Sequence, residues 1–173
     1  TLLCIADSNT KGLTGPAEAG KPFHSLLKGA GVSNKDAADS GGSFGIGKNA
    51  AFAVSELQAV FYSTIYSDVD DGATRFLAQG KTILISHSNE DGNEKRATGY
   101  WGMPSFMPID DPTMVPEWMR RTEIGTTVIV AGFRESEDWQ YRIAESLLQN
   151  FFCGIHRDEI RFRRWTPSSS SPG

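Results

Sequence analysis

Four of the seven residues from Gly41 to Gly47 are glycine, and the chain passes directly from them into a run with helical spacing. The full stretch reads Gly41-Gly42-Ser43-Phe44-Gly45-Ile46-Gly47-Lys48-Asn49-Ala50-Ala51-Phe52. Glycines at that density leave no Cβ atoms, so the backbone can take positive φ and come close to an anion. Ala50, Ala51, Val54 and Leu57 recur at the helical period, which predicts a helix over 48–57. The first turn of such a helix carries unpaired N–H groups and the positive end of the dipole. A glycine loop feeding that turn is a candidate phosphate cradle.

Two phosphate-binding patterns fit these letters. From Gly42 to Lys48 the spacing is G-x-x-x-x-G-K, as in a Walker-type P-loop NTPase. Asn49 stands where that loop needs Ser or Thr, and the polar run 34–40 cannot supply the buried strand that must precede it. The run G-S-F-G-I-G-K-N-A-A resembles more closely the second glycine box of the GHKL ATPases. That superfamily includes gyrase, the heat-shock chaperone ATPase, histidine kinases and MutL. The resemblance implies that Gly42, Ser43, Phe44, Gly45, Ile46, Gly47 and Lys48 form the hinge of an ATP lid and hold the phosphates.

Two further stretches extend the resemblance in family order. Leu2-Leu3-Cys4-Ile5-Ala6 predicts a short strand, and Asp7 follows at its tip. Asp7 with Gly12 and Leu13 is similar to the first glycine box, although Asn9 replaces its first glycine and the loop is one residue longer. The resemblance makes Asp7 the carboxylate that accepts a hydrogen bond from the exocyclic amine of adenine. Guanine offers no donor there. Read alone, Asp7 caps a turn. Late in the chain, Gly125-Thr126 opens an apolar β-branched run and resembles the last box. By that likeness the Thr126 hydroxyl joins Asp7, through water, at the adenine; read alone it is a strand former.

The rest of the chain bounds the reading. With 39% hydrophobic and 22% charged residues, 173 residues can bury a sizeable core. A net charge of −4 argues against a duplex-binding surface over the whole domain. The basic cluster Arg157, Arg161, Arg163 and Arg164 reads as a solvated strand face over 158–164, so nucleic acid is an unsupported partner. No run reaches membrane-spanning length, and no leader is visible; a cytoplasmic location, or a nuclear one in a eukaryote, is expected. Cys4 and Cys153 sit in apolar runs and are expected as buried free thiols, a disulfide between them staying open. His24, His87 and His156 are scattered, so no structural metal is expected. His156-Arg157-Asp158 matches a kinase triplet, but Arg163 occupies the place of the required asparagine.

Short helices are expected over 23–30 and a mobile lid over 31–47. Strands are expected over 59–66, 74–78, 81–86, 98–101 and 123–130. Between the last two, prolines 104, 108, 112 and 116 predict an irregular insertion that packs apolar side chains on the sheet. A helix is expected over 139–152. The expected fold is α+β: a Bergerat-type two-layer sandwich, its mixed, mostly antiparallel sheet covered by helices on one face. It would occupy residues 1–165, with 166–173 a linker-like tail. In the family, a helix before the first box carries the catalytic glutamate and the magnesium-binding asparagine; no residue here can be given either role, and Glu18, Asp36 and Asp39 have nothing to promote them. The expectation is therefore ATP binding with Mg2+, coupled in a longer parent to hydrolysis, lid closure and ATP-dependent homodimerisation. The alternatives are a Walker-type enzyme using 42–48, or a nucleotide-free interaction module.

Overall fold

The structure, a computed structural model, describes residues 1–29 and 46–164. The chain forms two compact units, 1–134 and 135–173. The first unit contains β1 (Leu2–Ala6), α1 (Pro22–Leu27), α2 (Ile46–Ala53), β2 (Ser55–Ser67), β3 (Thr74–Ile83), β4 (His87–Ser88), β5 (Glu94–Lys95), β6 (Thr98–Trp101) and β7 (Gly125–Phe133). Five strands make one sheet in the order β1-β7-β2-β3-β6, and β4 and β5 form a separate ribbon. Every pairing among the described strands is antiparallel. The fold is α+β with few helices, as the sequence predicts.

The register sorts the side chains onto two faces, because residues directly opposite each other share a face. One face carries Leu3 and Ile5 of β1 with Asp7 just beyond it, Val130, Val128 and Thr126 of β7, and Val60, Tyr62 and Thr64 of β2. Lys81, Gln79 and Leu77 of β3 complete it. Phe23 and Leu27 of α1 and Phe52 of α2 pack here with Val60, Tyr62, Tyr66 and Leu77. The opposite face carries Ile129, Phe61, Ile65, Phe76 and Ala78, covered by Ile109, Val115 and Met119 of the proline-rich segment. That segment forms one-turn 3-10 helices at Pro104–Phe106, Pro112–Met114 and Glu117–Met119. Its apolar side chains pack on the sheet as expected, so the face away from the helices is covered too.

Two boundaries and the exposure of the cysteines differ from the sequence reading, each for a local reason. The expected helix 48–57 stops at Ala53, and β2 starts at Ser55. Gln58, at φ 48°, turns its side-chain amide back onto the carbonyls of Phe52 and Ser55, both at 2.9 Å. The Ser55 hydroxyl bonds the Ala131 carbonyl at 2.5 Å. Those bonds fix a bulge between Ser55 and Ala59 and leave Val54 and Leu57 exposed. The expected strands 74–78 and 81–86 are one strand, β3, running through Gln79-Gly80. Gly80 makes room rather than a turn: a Cβ there would stand 2.7 Å from the Phe61 ring and 3.1 Å from Trp101 Cβ. Both cysteines are exposed free thiols, not buried ones; Cys4 lies on an edge strand, beyond the cluster under the proline-rich segment.

In the second unit α3 spans Trp139–His156, with a break at Phe151 (φ −121°, ψ 17°). The expected strand 158–164 is absent. Instead, Asp158 takes φ 58°, and the amides of Glu159 and Ile160 bond the Gly154 carbonyl at 2.9 and 3.2 Å. Asp158 pairs with Arg161 at 2.5 Å, and the Phe162 ring meets Phe151 at 5.5 Å. The alternating residues are used in turning the chain back along the end of its own helix.

Candidate functional site

Asp7, Thr126 and Thr64 of the helix-bearing face share one row near one end of the sheet. Asp7 continues β1 beyond Ala6, and its N–H donates to the Thr126 carbonyl at 2.9 Å. The Thr126 N–H donates in return to Asp7 Oδ1 in a short bond. Gly125 makes that approach feasible. Its φ is 144°, and a Cβ would lie 2.5 Å from the Asp7 carbonyl oxygen and 2.6 Å from Oδ1.

The first loop is tied to the same place. Gly12, at φ 69°, lies so close to the Ile65 carbonyl that a Cβ would overlap it. The Leu13 N–H donates to Thr64 Oγ1 at 2.9 Å. Thr64 Oγ1 donates to the Gly125 carbonyl at 3.0 Å and stands 3.5 Å from Thr126 Oγ1. Thus Gly12, Leu13 and Thr126, far apart in sequence, meet at one buried hydroxyl, and Asp7 joins them through the Thr126 backbone. Thr64 is fully buried, Thr126 half-buried and Asp7 exposed, so the cluster opens to solvent at the carboxylate. The sequence alone does not single out Thr64. The available signal was a hydroxyl standing on the same strand face as Val60, Tyr62 and Tyr66.

Beside the carboxylate the face turns apolar. The next row holds Ile5, Val128, Tyr62 and Gln79. Ile5 is 56% exposed, so it and half-buried Val128 form an accessible shelf next to Asp7. Further in, burial pushes the Tyr62 hydroxyl up to about 12. Gln79 donates through Nε2 to the Phe106 carbonyl at 2.7 Å, while its buried Oε1 has no partner among the described residues. Lys81 Nζ reaches the Leu27 carbonyl at 2.7 Å and ties α1 to the sheet.

Arg121 braces the site from the strand ends. It donates to the Asp7 carbonyl at 2.6 Å, to the Glu123 carbonyl at 3.4 Å and, in a short bond, to Thr127 Oγ1. Partial burial lowers its affinity for a proton, opposed by the charges of Asp7 and Glu123. Ser8, Arg120 and Glu123 join it around a cavity of about 220 Å³.

The glycine box is only partly in view. Gly42, Ser43, Phe44 and Gly45 lie outside the described residues, as does the run 34–40 that the P-loop reading turns on. Ile46, Gly47 and Lys48 open α2, and nothing crowds the Gly47 backbone within 4 Å. α2 itself packs on the same face as Asp7, Thr64 and Thr126, through Ala51 and Phe52. Among the described residues no three His, Cys, Asp or Glu side chains stand together as a metal group. No helix among them is long and apolar enough to cross a membrane. Comparison with protein-family models, curated proteins and solved structures gives no match.

Proposed function

We propose that this chain binds an adenine nucleotide in the manner of a divergent GHKL ATPase with a Bergerat-type fold. The observation that carries the reading is that the Gly12–Leu13 loop and Thr126 meet at the Thr64 hydroxyl while Asp7 is bonded to the Thr126 backbone. Adenine would lie on Ile5 and Val128, with its exocyclic amine donating to the Asp7 carboxylate. Oδ1 already accepts the Thr126 N–H, which fixes the carboxylate plane. Thr126 would complete the purine edge through water. The glycine box 42–47 and the start of α2 would hold the phosphates, whose charge favours N–H groups at a helix start.

Mg2+ would arrive with those phosphates and offset their charge. In a longer parent, hydrolysis and lid closure would follow, with dimerisation as their output. No residue described here is assigned as general base. A nucleotide-free interaction module is the second reading, favoured by one observation: Asp7 and Arg121 both make bonds that hold the strand ends together.

Calorimetric titration with Mg-ATP and Mg-GTP separates the two readings. Nucleotide binding through Asp7 predicts ATP held at least about tenfold more tightly than GTP, since a site built for a donor rejects an acceptor. Equal affinities remove the adenine assignment. Absence of binding, repeated with a polypeptide extended upstream, favours the interaction module.

A further inference from the structure

We propose that the open edge of β3 at Thr74–Phe76 is a docking slot for an extended basic peptide, which adds to the sheet as a short strand. The proposal is independent of the nucleotide reading and concerns β3, two strands across from Thr126 at the same end of the sheet.

β3 is covered along only part of its outer edge. β6 pairs with residues 80–83, and Ile109 exchanges both backbone bonds with Ala78 at 2.8 Å. In an antiparallel ladder the outward-facing residues alternate. Since Ala78 faces outward, so do the N–H and C=O groups of Phe76 and Thr74. The register that pairs Ile109 with Ala78 would place Asp111 opposite Phe76. Asp111 is used otherwise. Its Oδ1 accepts the Thr113 N–H at 2.8 Å, and its carbonyl accepts the Met114 N–H at 3.1 Å. Pro112 then starts a 3-10 turn. The chain therefore leaves the sheet one step after Ile109, and no backbone group among the described residues pairs with the outer edge of Thr74, which is exposed, or of Phe76, whose side chain is buried.

The gap is a cavity of about 720 Å³. Phe76, Met107 and Pro108 give it apolar walls, and Pro16 and Pro112 line it without an N–H to offer. A free strand edge beside apolar walls is the geometry of recognition by strand addition: the main chain supplies affinity, and alternate side chains enter the pocket. Unprotected edges of this kind recruit other chains.

The charge at the slot selects the occupant. Asp68 and Asp110 line it, and Asp71 stands beside Asp68. The one cation in the lining among the described residues, Arg75, is held by Asp68 at 2.7 Å and by Asp71 at 2.5 Å. The arginine is thereby occupied within the protein, Lys21 also acts on Asp68, and Asp68, Asp71 and Asp110 still outnumber the two cations. An incoming strand that alternates apolar and basic residues would place the apolar ones against Phe76 and Met107, and the basic ones toward Asp110 and Asp68. Complementary charge of this sort sets partner choice and association rate.

The test uses the 15N-labelled full chain titrated with a short acetylated peptide alternating lysine and valine. The amides of Thr74 and Phe76 should shift and gain protection from hydrogen exchange. A glutamate-for-lysine peptide should bind at least about tenfold more weakly, and Asp110→Lys should weaken the lysine peptide about fivefold without changing Tm. The affinity should also fall with added salt. Three outcomes overturn the proposal. One is equal binding by a peptide N-methylated along its pairing edge, which shows charge adhesion without a strand. The second is shifts that map elsewhere, or none. The third is protection of the same amides in the free chain that rises with protein concentration, which shows a second copy on the edge.

Discussion

The two faces of the sheet are built from alternate residues of the same strands, yet they are different materials. The face under the proline-rich segment is almost wholly apolar. Phe61 stands edge-on to Trp101 and Trp118 at 5.7 and 5.6 Å, and Ile129 and Ala78 are fully buried beneath Met119. The buried hydroxyl of Ser63 on this face is satisfied by the Met119 carbonyl at 2.5 Å. The face under α1 and α2 interleaves Thr64, Tyr62, Gln79 and Lys81 with its aliphatic residues. Buried polar groups stabilise little on balance and are costly when left unpaired. The proposed function uses the face under α1 and α2, and the other face supplies the cohesion of the sheet.

That contrast can be broken by substitution. Ile129→Ala, on the cohesive face, should cost about 4 kcal/mol in chemical denaturation, as for a large-to-small change in a packed core. The affinity of the folded fraction for Mg-ATP should not change. An affinity loss matching the stability loss would mean that the two faces are not separable.

A pH series tests the recognition face. Burial raises Tyr62 from about 10 to about 12. A raised acid favours its protonated form in the folded state, so this contribution is fully present below pH 10 and declines as pH rises toward 12. The total decline is about 3 kcal/mol from this group. Tyr62→Phe should flatten the alkaline side of the stability profile, and a profile unchanged by that substitution would contradict the burial argument.

The sharpest comparison is between neighbours. Thr64→Val strands the Leu13 N–H and the Gly125 carbonyl, with a loss of about 2 kcal/mol. It should also weaken Mg-ATP binding about tenfold, because both site loops hang on that hydroxyl. Ser63→Ala removes one bond on the other face and should lower stability by about 1 kcal/mol with affinity intact. Equal effects of the two on affinity would erase the distinction between the faces.

Much of this was legible from residue order. β1 was read to its observed ends because five apolar residues stop at Asp7. The role of the prolines was also legible, since prolines 104, 108, 112 and 116 exclude a regular helix and the apolar residues between them must pack somewhere. What stayed hidden depended on partners distant in sequence. Gly80 looks like a turn until Phe61 and Trp101 are seen to claim its space. The helix end at Ala53 is set by Gln58, and the alternating run 158–164 becomes a strand only if another strand is offered to it. In the site, Asp7, Gly12 and Thr126 carried a recognisable pattern. Thr64 did not, because a threonine inside a strand is commonplace until the loop it anchors is known.

Asp7→Asn tests the central claim most directly, since it separates the two roles of one side chain. Asparagine keeps an oxygen for the Thr126 N–H, so the strand ends should stay joined and Tm should hold. Its amide group would face the exocyclic amine of adenine with a donor instead of an acceptor. Calorimetry should therefore show Mg-ATP affinity reduced by about a hundredfold or more in a fully folded protein. Unchanged affinity at unchanged Tm would show that the carboxylate is only a fastener between β1 and β7, and that no purine is read there.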